Sequence, residues 1–146
     1  MCHKFTTRVP GRPSAIATAR RWTETTLDAL YSDSGDEGND VVLVVSELVT
    51  NSVNAHAGRV ELSVEGHHAS VRIEVTDDVS GIPTLKHAGP ATVQGRGLRV
   101  IDSVALDWGV QTRKPGKTVW AELPIRAPGR TLSSCRHAPV APRPVR

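Results

Sequence analysis

Residues 44–57 constrain the fold most, because they form the most hydrophobic part of the chain and still carry three polar side chains. In a helix, Glu47, Asn51 and Asn54 stand at positions i, i+4 and i+7 of one face, beside an apolar stripe. A carboxylate so close to the core is costly without a partner. A divalent cation that carries a phosphate is such a partner, because hard cations bind carboxylate and amide oxygens. The alternative is a helix whose polar side faces water.

Length and composition are those of one domain with a core. The chain has 146 residues, and Val, Leu, Ile and Ala must build its interior because only 3% of the residues are aromatic. No run approaches the roughly 18 apolar residues of a membrane span, and residues 1–7 lack the apolar segment of a secretion signal. We therefore expect a cytoplasmic protein that does not enter a membrane. Cys2 and Cys135 are predicted to be free thiols, with a disulfide as the alternative.

The net charge of +3 comes from the end of the chain. Five of the 18 basic residues lie in residues 126–146, which contain no acidic residue, so residues 1–125 carry 13 basic and 15 acidic side chains. This balance and the few aromatic residues argue against direct nucleic-acid binding. We predict one domain in residues 1–125 and a disordered Pro- and Arg-rich tail in residues 126–146.

Hydrophobic periodicity predicts the element order β-α-α-β-β-loop-α-β-β. The predicted strands are residues 4–9, 59–65, 70–76, 106–112 and 118–123, and the predicted helices are residues 15–31, 40–57 and 97–104. Gly58 is expected to end the second helix, and residues 32–38 are expected to be a polar loop. Runs of strands without strict alternation predict an antiparallel or mixed sheet that helices cover on one face.

Two adjacent histidines, His67 and His68, stand in the predicted turn between the second and third strands. Imidazoles side by side can bind a metal. A solvated loop is the interpretation that we favour for this turn.

Two glycine-containing segments further along the chain add to the evidence from the second helix. Residues 77–81 follow a strand directly, so Asp77 stands at a strand end, where a pocket can open. Residues 95–97 read G-x-G and lead into a helix, where backbone N–H groups and the helix dipole favour phosphate. The long loop-like segment 77–94 is typical of functional loops. An acidic and amide-bearing helix, a strand-end aspartate and a G-x-G helix start together predict a nucleotide site.

These motifs resemble the GHKL superfamily of ATP-binding domains, whose members include gyrase, Hsp90, histidine kinases and MutL. Within that superfamily, the chain is most similar to the short bacterial anti-sigma-factor serine/threonine kinases of the RsbW and SpoIIAB type. The resemblance covers about residues 10–125. Residues 46–51 match the N box, Asp77 and Gly81 match the first glycine box, and residues 95–98 match the second. Residues 116–120 match the closing G-K-T-x-W segment of actinobacterial members.

The resemblance implies the Bergerat fold, a two-layer α/β sandwich with a mixed, mostly antiparallel sheet and ATP between the sheet and the helices. It implies that Asn51 coordinates Mg²⁺ and that Glu47 is the general base. Asp77 would accept a hydrogen bond from the adenine amino group, and residues 79–96 would form a lid. The further implied site residues are Gly81 beside the base, Gly95, Arg96, Gly97 and Leu98 at the phosphates, Thr118 supporting Asp77, and Asn54 on the phosphate side.

The resemblance also implies an activity and partners. The expected activity is phosphorylation of an anti-sigma-factor antagonist on serine or threonine, with binding of a sigma factor and a homodimeric state. Active kinases of this type carry an arginine just before the G-x-G segment, whereas Val93 and Gln94 stand near that place here. The alternative is therefore a nucleotide-dependent adaptor that binds partners without phosphoryl transfer.

Overall fold

The computed structural model of the protein describes residues 3–80, 93–113 and 115–126. In these residues, the elements in chain order are β1 (His3–Pro10), α1 (Ser14–Leu30), α2 (Gly35–Asn54), β2 (Arg59–Gly66), β3 (Ser70–Asp77), α3 (Val93–Val104), β4 (Asp107–Arg113) and β5 (Gly116–Pro124). The predicted order of strands and helices is confirmed. None of the helices in these ranges is long and apolar enough to cross a membrane.

The strands form one sheet in the order β1-β2-β3-β5-β4, and each neighbouring pair is antiparallel. Side chains alternate between the two faces of a strand, and one face of β2 and β3 is apolar and buried through Val60, Leu62, Val64, Val71, Ile73 and Val75. Helix α2 packs against β3 and β5, and α1 packs against β1 and β2. The predicted two-layer α/β sandwich is confirmed, and among the described strands its sheet is antiparallel rather than mixed.

Helix α2 is helical although its many valines favour strands. Val41, Val44, Val45 and Val49 recur at helical spacing and are fully buried. Burial of such a side chain stabilises by about 1.5–3 kcal/mol, whereas a β-branched residue costs a helix only some tenths of a kcal/mol. Packing therefore decides the conformation of this segment.

The start of α2 differs from the prediction. The helix begins at Gly35 rather than near residue 40, so part of the predicted polar loop 32–38 is helical. Asp36 and Glu37 occupy its first turn, where negative charge interacts favourably with the helix dipole. Glu37 also accepts a hydrogen bond at 2.7 Å from the backbone N–H of Arg126. Arg126, the first residue of the predicted tail, is thus hydrogen-bonded to the first turn of α2.

The end of α2 also differs, because Gly58 does not end it. The helix stops at Asn54, and His56 adopts a left-handed conformation with φ of 62°. The N–H of Ala57 then donates to the carbonyl of Ser52 at 3.0 Å, which is the bond that closes a Schellman motif. His56 therefore takes the place that was expected for a glycine.

The turn between β2 and β3 is not wholly solvated. His68 is exposed as expected, but His67 is only 1% exposed. Its Nε2 lies 3.4 Å from Glu65 Oε1, and its carbonyl accepts a hydrogen bond from the Tyr31 hydroxyl at 3.2 Å. The solvated-loop interpretation is wrong for His67. No group of three or more His, Cys, Asp or Glu side chains within the described ranges is placed to hold a metal.

Several predictions fall on residues outside the described ranges. They concern Cys2, Cys135, Gly81 with residues 81–92 of the predicted lid, and residues 127–146 of the predicted tail.

Candidate functional site

Glu47 and Asn51 lie one turn apart on α2, on the side that faces the beginning of α3, and both are half-buried. A methyl group on Gly97 would stand 2.8 Å from Glu47 Oε2 and 3.5 Å from Asn51 Oδ1. Because Gly97 has no side chain, the backbone of α3 can approach both polar groups. The acid, the amide and the second glycine of the G-x-G segment therefore meet at one place.

Asn51 Oδ1 is a buried hydrogen-bond acceptor at this place. It has no hydrogen-bond partner among the described residues. An unsatisfied buried acceptor costs about 1–3 kcal/mol, so such atoms often mark the place of an ion or a water. A carboxamide oxygen beside a carboxylate suits a hard divalent cation, and Mg²⁺ needs only one or two protein ligands beside phosphates and water. Asn51 therefore fits its predicted role as a ligand of Mg²⁺.

The first turn of α3 supplies backbone donors. The helix begins at Val93 rather than at Gly97, and the first four N–H groups of a helix have no intrahelical acceptor. Gly95 and Arg96 fall within that turn, so their N–H groups remain suited to an anion. Gly97 and Leu98 fall beyond it, and Leu98 is packed in the core with 1% exposure. The predicted phosphate contacts of the last two N–H groups do not fit this helix.

Asp77 ends β3 and is almost completely buried, with 3% of its side chain exposed. Its Oδ1 accepts hydrogen bonds from the Val79 backbone N–H and from Lys117 Nζ, each at 3.0 Å. Its Oδ2 accepts from Ser52 Oγ at 2.6 Å and from Lys117 Nζ at 3.2 Å. A carboxylate offers about four lone-pair positions, and four contacts from described residues fill them.

Ser52 and Lys117 were not predicted from the sequence. Ser52 follows Asn51 in α2 and connects the helix to the end of the sheet through its bond to Asp77. Lys117 stands directly opposite Asp77 in the register of β3 and β5. A methyl group on Gly116 would collide with the Asp77 carbonyl oxygen, so the glycine is what allows this close approach. Lys117 belongs to the G-K-T-x-W segment, and this motif could have indicated it as a site residue.

Among the described hydrogen bonds, none joins Thr118 to Asp77, which it was expected to support. Its hydroxyl lies 2.7 Å from the hydroxyl of Thr76, its neighbour in the register. Since adjacent residues of a strand point to opposite faces, Thr118 lies on the other side of the sheet from Lys117, which makes the contact instead. Asn54 is exposed at the end of α2, and no described hydrogen bond links it to the other site residues.

Together these features define a class of protein. An antiparallel sheet carries helices on one face, the central helix presents a carboxylate and an amide to a glycine-bearing helix start, and a buried aspartate ends a neighbouring strand. This is the arrangement of the GHKL ATP-binding domains.

The chain belongs to the histidine kinase-like ATPase domain family, because the family model matches residues 9–123. It is thus an ATP-binding domain, and the predicted GHKL membership is confirmed. Among solved structures, it is similar to the catalytic domain of the histidine kinase ThkA in a nucleotide-free form, with 16% sequence identity and a TM-score of 0.49. That alignment covers 82% of this chain and 95% of the other. A comparison with curated proteins found no match.

Proposed function

We propose that this protein is a serine/threonine protein kinase of the anti-sigma-factor type, which transfers the terminal phosphoryl group of ATP to an antagonist protein. The observation that supports this best is the meeting of Glu47, Asn51 and Gly97. A carboxylate for proton transfer and an unsatisfied amide oxygen for a cation stand there beside backbone donors for phosphate.

The proposed step is an in-line displacement at phosphorus. The serine or threonine oxygen of the antagonist attacks the γ-phosphorus, and an O–P bond forms while the bond to the β,γ-bridging oxygen breaks. ADP departs with the electron pair of that bond, and Glu47 accepts the proton of the hydroxyl group. Asn51 Oδ1 would hold Mg²⁺, which would supply positive charge to neutralise the phosphates.

Asp77 is proposed to bind the adenine ring of ATP. The carboxylate is buried at a strand end, and Ser52 and the Val79 N–H hold it in place. An oriented carboxylate accepts a hydrogen bond from the exocyclic amino group of adenine, and the carbonyl that guanine carries at the same position cannot donate one. Asp77 is therefore proposed to select ATP over GTP.

The proposed partners follow from the same assignment. They are an anti-sigma-factor antagonist as phosphoryl acceptor and a sigma factor as a protein to be sequestered, in the cytoplasm and with the kinase as a homodimer. Affinity purification from the native host, followed by mass spectrometry, tests the partners. Recovery of neither an antagonist nor a sigma factor contradicts them.

The alternative function is an adaptor whose nucleotide state sets its affinity for partners. Val93 and Gln94 carry no positive charge near the place where active kinases of this type have an arginine. Such an arginine supplies charge to the transferred phosphoryl group. ATP binding without transfer to any antagonist would support the adaptor.

A phosphoryl-transfer assay tests the kinase proposal. The purified protein is mixed with γ-labelled ATP, Mg²⁺ and candidate antagonist proteins, and label on serine or threonine is measured. Glu47→Ala should reduce transfer by about 10²–10⁴-fold, the usual contribution of a general base, and should leave ATP affinity nearly unchanged. Asp77→Asn should weaken ATP binding itself by roughly tenfold or more, because a hydrogen bond to a charged group is lost.

Glu24→Ala is the matched control, because Glu24 is an exposed carboxylate on α1, a helix that contributes no residue to the proposed site. This variant should retain both ATP binding and transfer. Full transfer by Glu47→Ala contradicts the assignment of the base.

A further inference from the structure

Lys117 makes a contact that no step of the proposed reaction uses. Its Nζ donates to both oxygens of Asp77, at 3.0 and 3.2 Å, and to the carbonyl of Val79 at 3.3 Å. An ammonium group has three N–H donors, so described residues satisfy all of them. The pair is buried, with 11% of the Lys117 side chain and 3% of the Asp77 side chain exposed.

The carboxylate of Asp77 is equally saturated, since donors from Ser52, Val79 and Lys117 occupy its lone pairs. An incoming amino group can therefore bind Asp77 only if one present donor withdraws. Ser52 is held by α2, and the Val79 N–H belongs to the backbone two residues away. Lys117 alone has a long flexible stem. It is the donor that can leave.

We propose that the Lys117 ammonium competes with ATP for the carboxylate of Asp77, so that the adenine amino group replaces the ammonium when ATP binds. This inference rests on the proposed adenine contact of Asp77. In the nucleotide-free state Lys117 neutralises a buried charge, and that ion pair must open before the base can bind. If the pair is closed in about 90–99% of molecules, the apparent affinity for ATP is reduced by about ten- to hundredfold.

The first test measures ATP binding in Mg²⁺ by calorimetry for the wild-type protein and for Lys117→Met, which keeps the length of the stem and removes the ammonium. The variant should bind ATP about tenfold more tightly. Lys4→Met is the matched control, because Lys4 forms an ion pair with Glu74 at 3.1 Å whose lysine side chain is 49% exposed. It should bind ATP like the wild type.

An Asp77→Asn background shows whether the effect passes through the carboxylate. Lys117→Met should change ATP affinity there by less than about twofold, since no competition for a charged carboxylate remains. An equal gain in both backgrounds overturns the proposal.

The second test uses the unaltered protein, in case Lys117→Met does not fold. Lysines are acetylated with and without ATP, and the modification of Lys117 is followed by peptide mass spectrometry. Displacement should raise the labelling rate of Lys117, whereas a lysine that contacts the nucleotide becomes protected. Lys4 should label equally in both conditions. Inosine triphosphate, which has a carbonyl in place of the amino group, should leave Lys117 protected.

The outcomes separate the two proposals. ATP binding with unchanged or slower labelling of Lys117 overturns the competition and leaves ATP binding intact. Equal binding and equal Lys117 exposure with ATP and inosine triphosphate overturn the base contact of Asp77, and the competition with it. Absence of ATP binding in both the wild type and Lys117→Met overturns both proposals.

Discussion

Gly97 sets the distance between α3 and the polar side of α2. The nearest atoms to a methyl group at this position belong to Glu47 and Asn51, the two side chains proposed for proton transfer and cation binding. The residue thus matters less for local conformation than for leaving room where the phosphates are proposed to bind.

Gly97→Ala should separate function from stability. The methyl group would displace Glu47 Oε2, now 2.8 Å from its position, but a carboxylate end is flexible and alanine favours a helix by up to about 1 kcal/mol. The free energy of unfolding in urea should therefore change by less than about 1 kcal/mol. Phosphoryl transfer should fall by roughly tenfold or more, since small misplacements of catalytic groups are costly.

Ser103→Ala is the control for this change, because Ser103 is exposed on the same helix and bonds only the Val100 carbonyl in the described contacts. It should leave transfer unaffected. Wild-type transfer by Gly97→Ala would show that the close approach of α3 has no role in catalysis.

The site could be predicted from sequence where spacing along one element carries the information. Glu47 and Asn51 share a helix face by their separation alone, and Gly97 stands in a recognisable glycine segment. Ser52 and Lys117 could not be predicted in this way. Their contacts with Asp77 depend on how α2 is rotated over the sheet and on which residue of β5 lies opposite β3.

The elements themselves were predictable because their apolar periodicities are strong. The order of strands and helices is confirmed, and the errors lie at helix ends. Helix α2 starts earlier because Asp36 and Glu37 suit a first turn, and it ends earlier because His56 takes a left-handed conformation. Both ends depend on local backbone hydrogen bonds, which a hydrophobic pattern does not report.

Tyr31 joins two such elements and gives stability a pH dependence. It follows α1, and its hydroxyl lies 3.2 Å from the carbonyls of His67 and Ser70 at the β2–β3 turn. Burial raises the pKa of Tyr31 well above its ordinary value, and the negative charge of Glu122 adds to this.

The sign of the pH effect follows from proton binding. Below about pH 10 the tyrosine is protonated in both the folded and the unfolded state. Above about pH 10 the unfolded chain loses the proton while folded Tyr31 keeps it, so the free energy of unfolding should fall by up to about 1.4 kcal/mol per pH unit. Urea denaturation across this range measures the slope.

Tyr31→Phe is the control, and since the chain has a single tyrosine it removes the whole effect. At neutral pH the variant should lose about 0.5–1.5 kcal/mol through the missing hydrogen bond, and its alkaline slope should be shallower. An identical slope in both proteins contradicts the assignment to Tyr31.

Across the protein, residues from distant parts of the chain form one site because of the sheet order. β5 inserts between β3 and β4, which places Lys117 beside Asp77, while α2 and α3 pack against each other above the sheet. The sequence predicted an antiparallel or mixed sheet, but it carried no signal for this order. Strand order depends on contacts between segments far apart in the chain, which local patterns do not report.

The central claim is that Mg²⁺ and ATP bind together in the cleft between α2, α3 and the end of β3. Isothermal titration calorimetry of the folded protein with ATP, in Mg²⁺ and then in excess chelator, tests it most directly. We expect saturable binding in Mg²⁺ that weakens by about tenfold or more in chelator and equally in Asn51→Ala, since a ligand to the cation is worth at least a charged hydrogen bond. No uptake of ATP, or affinity that is independent of both Mg²⁺ and Asn51, would contradict it.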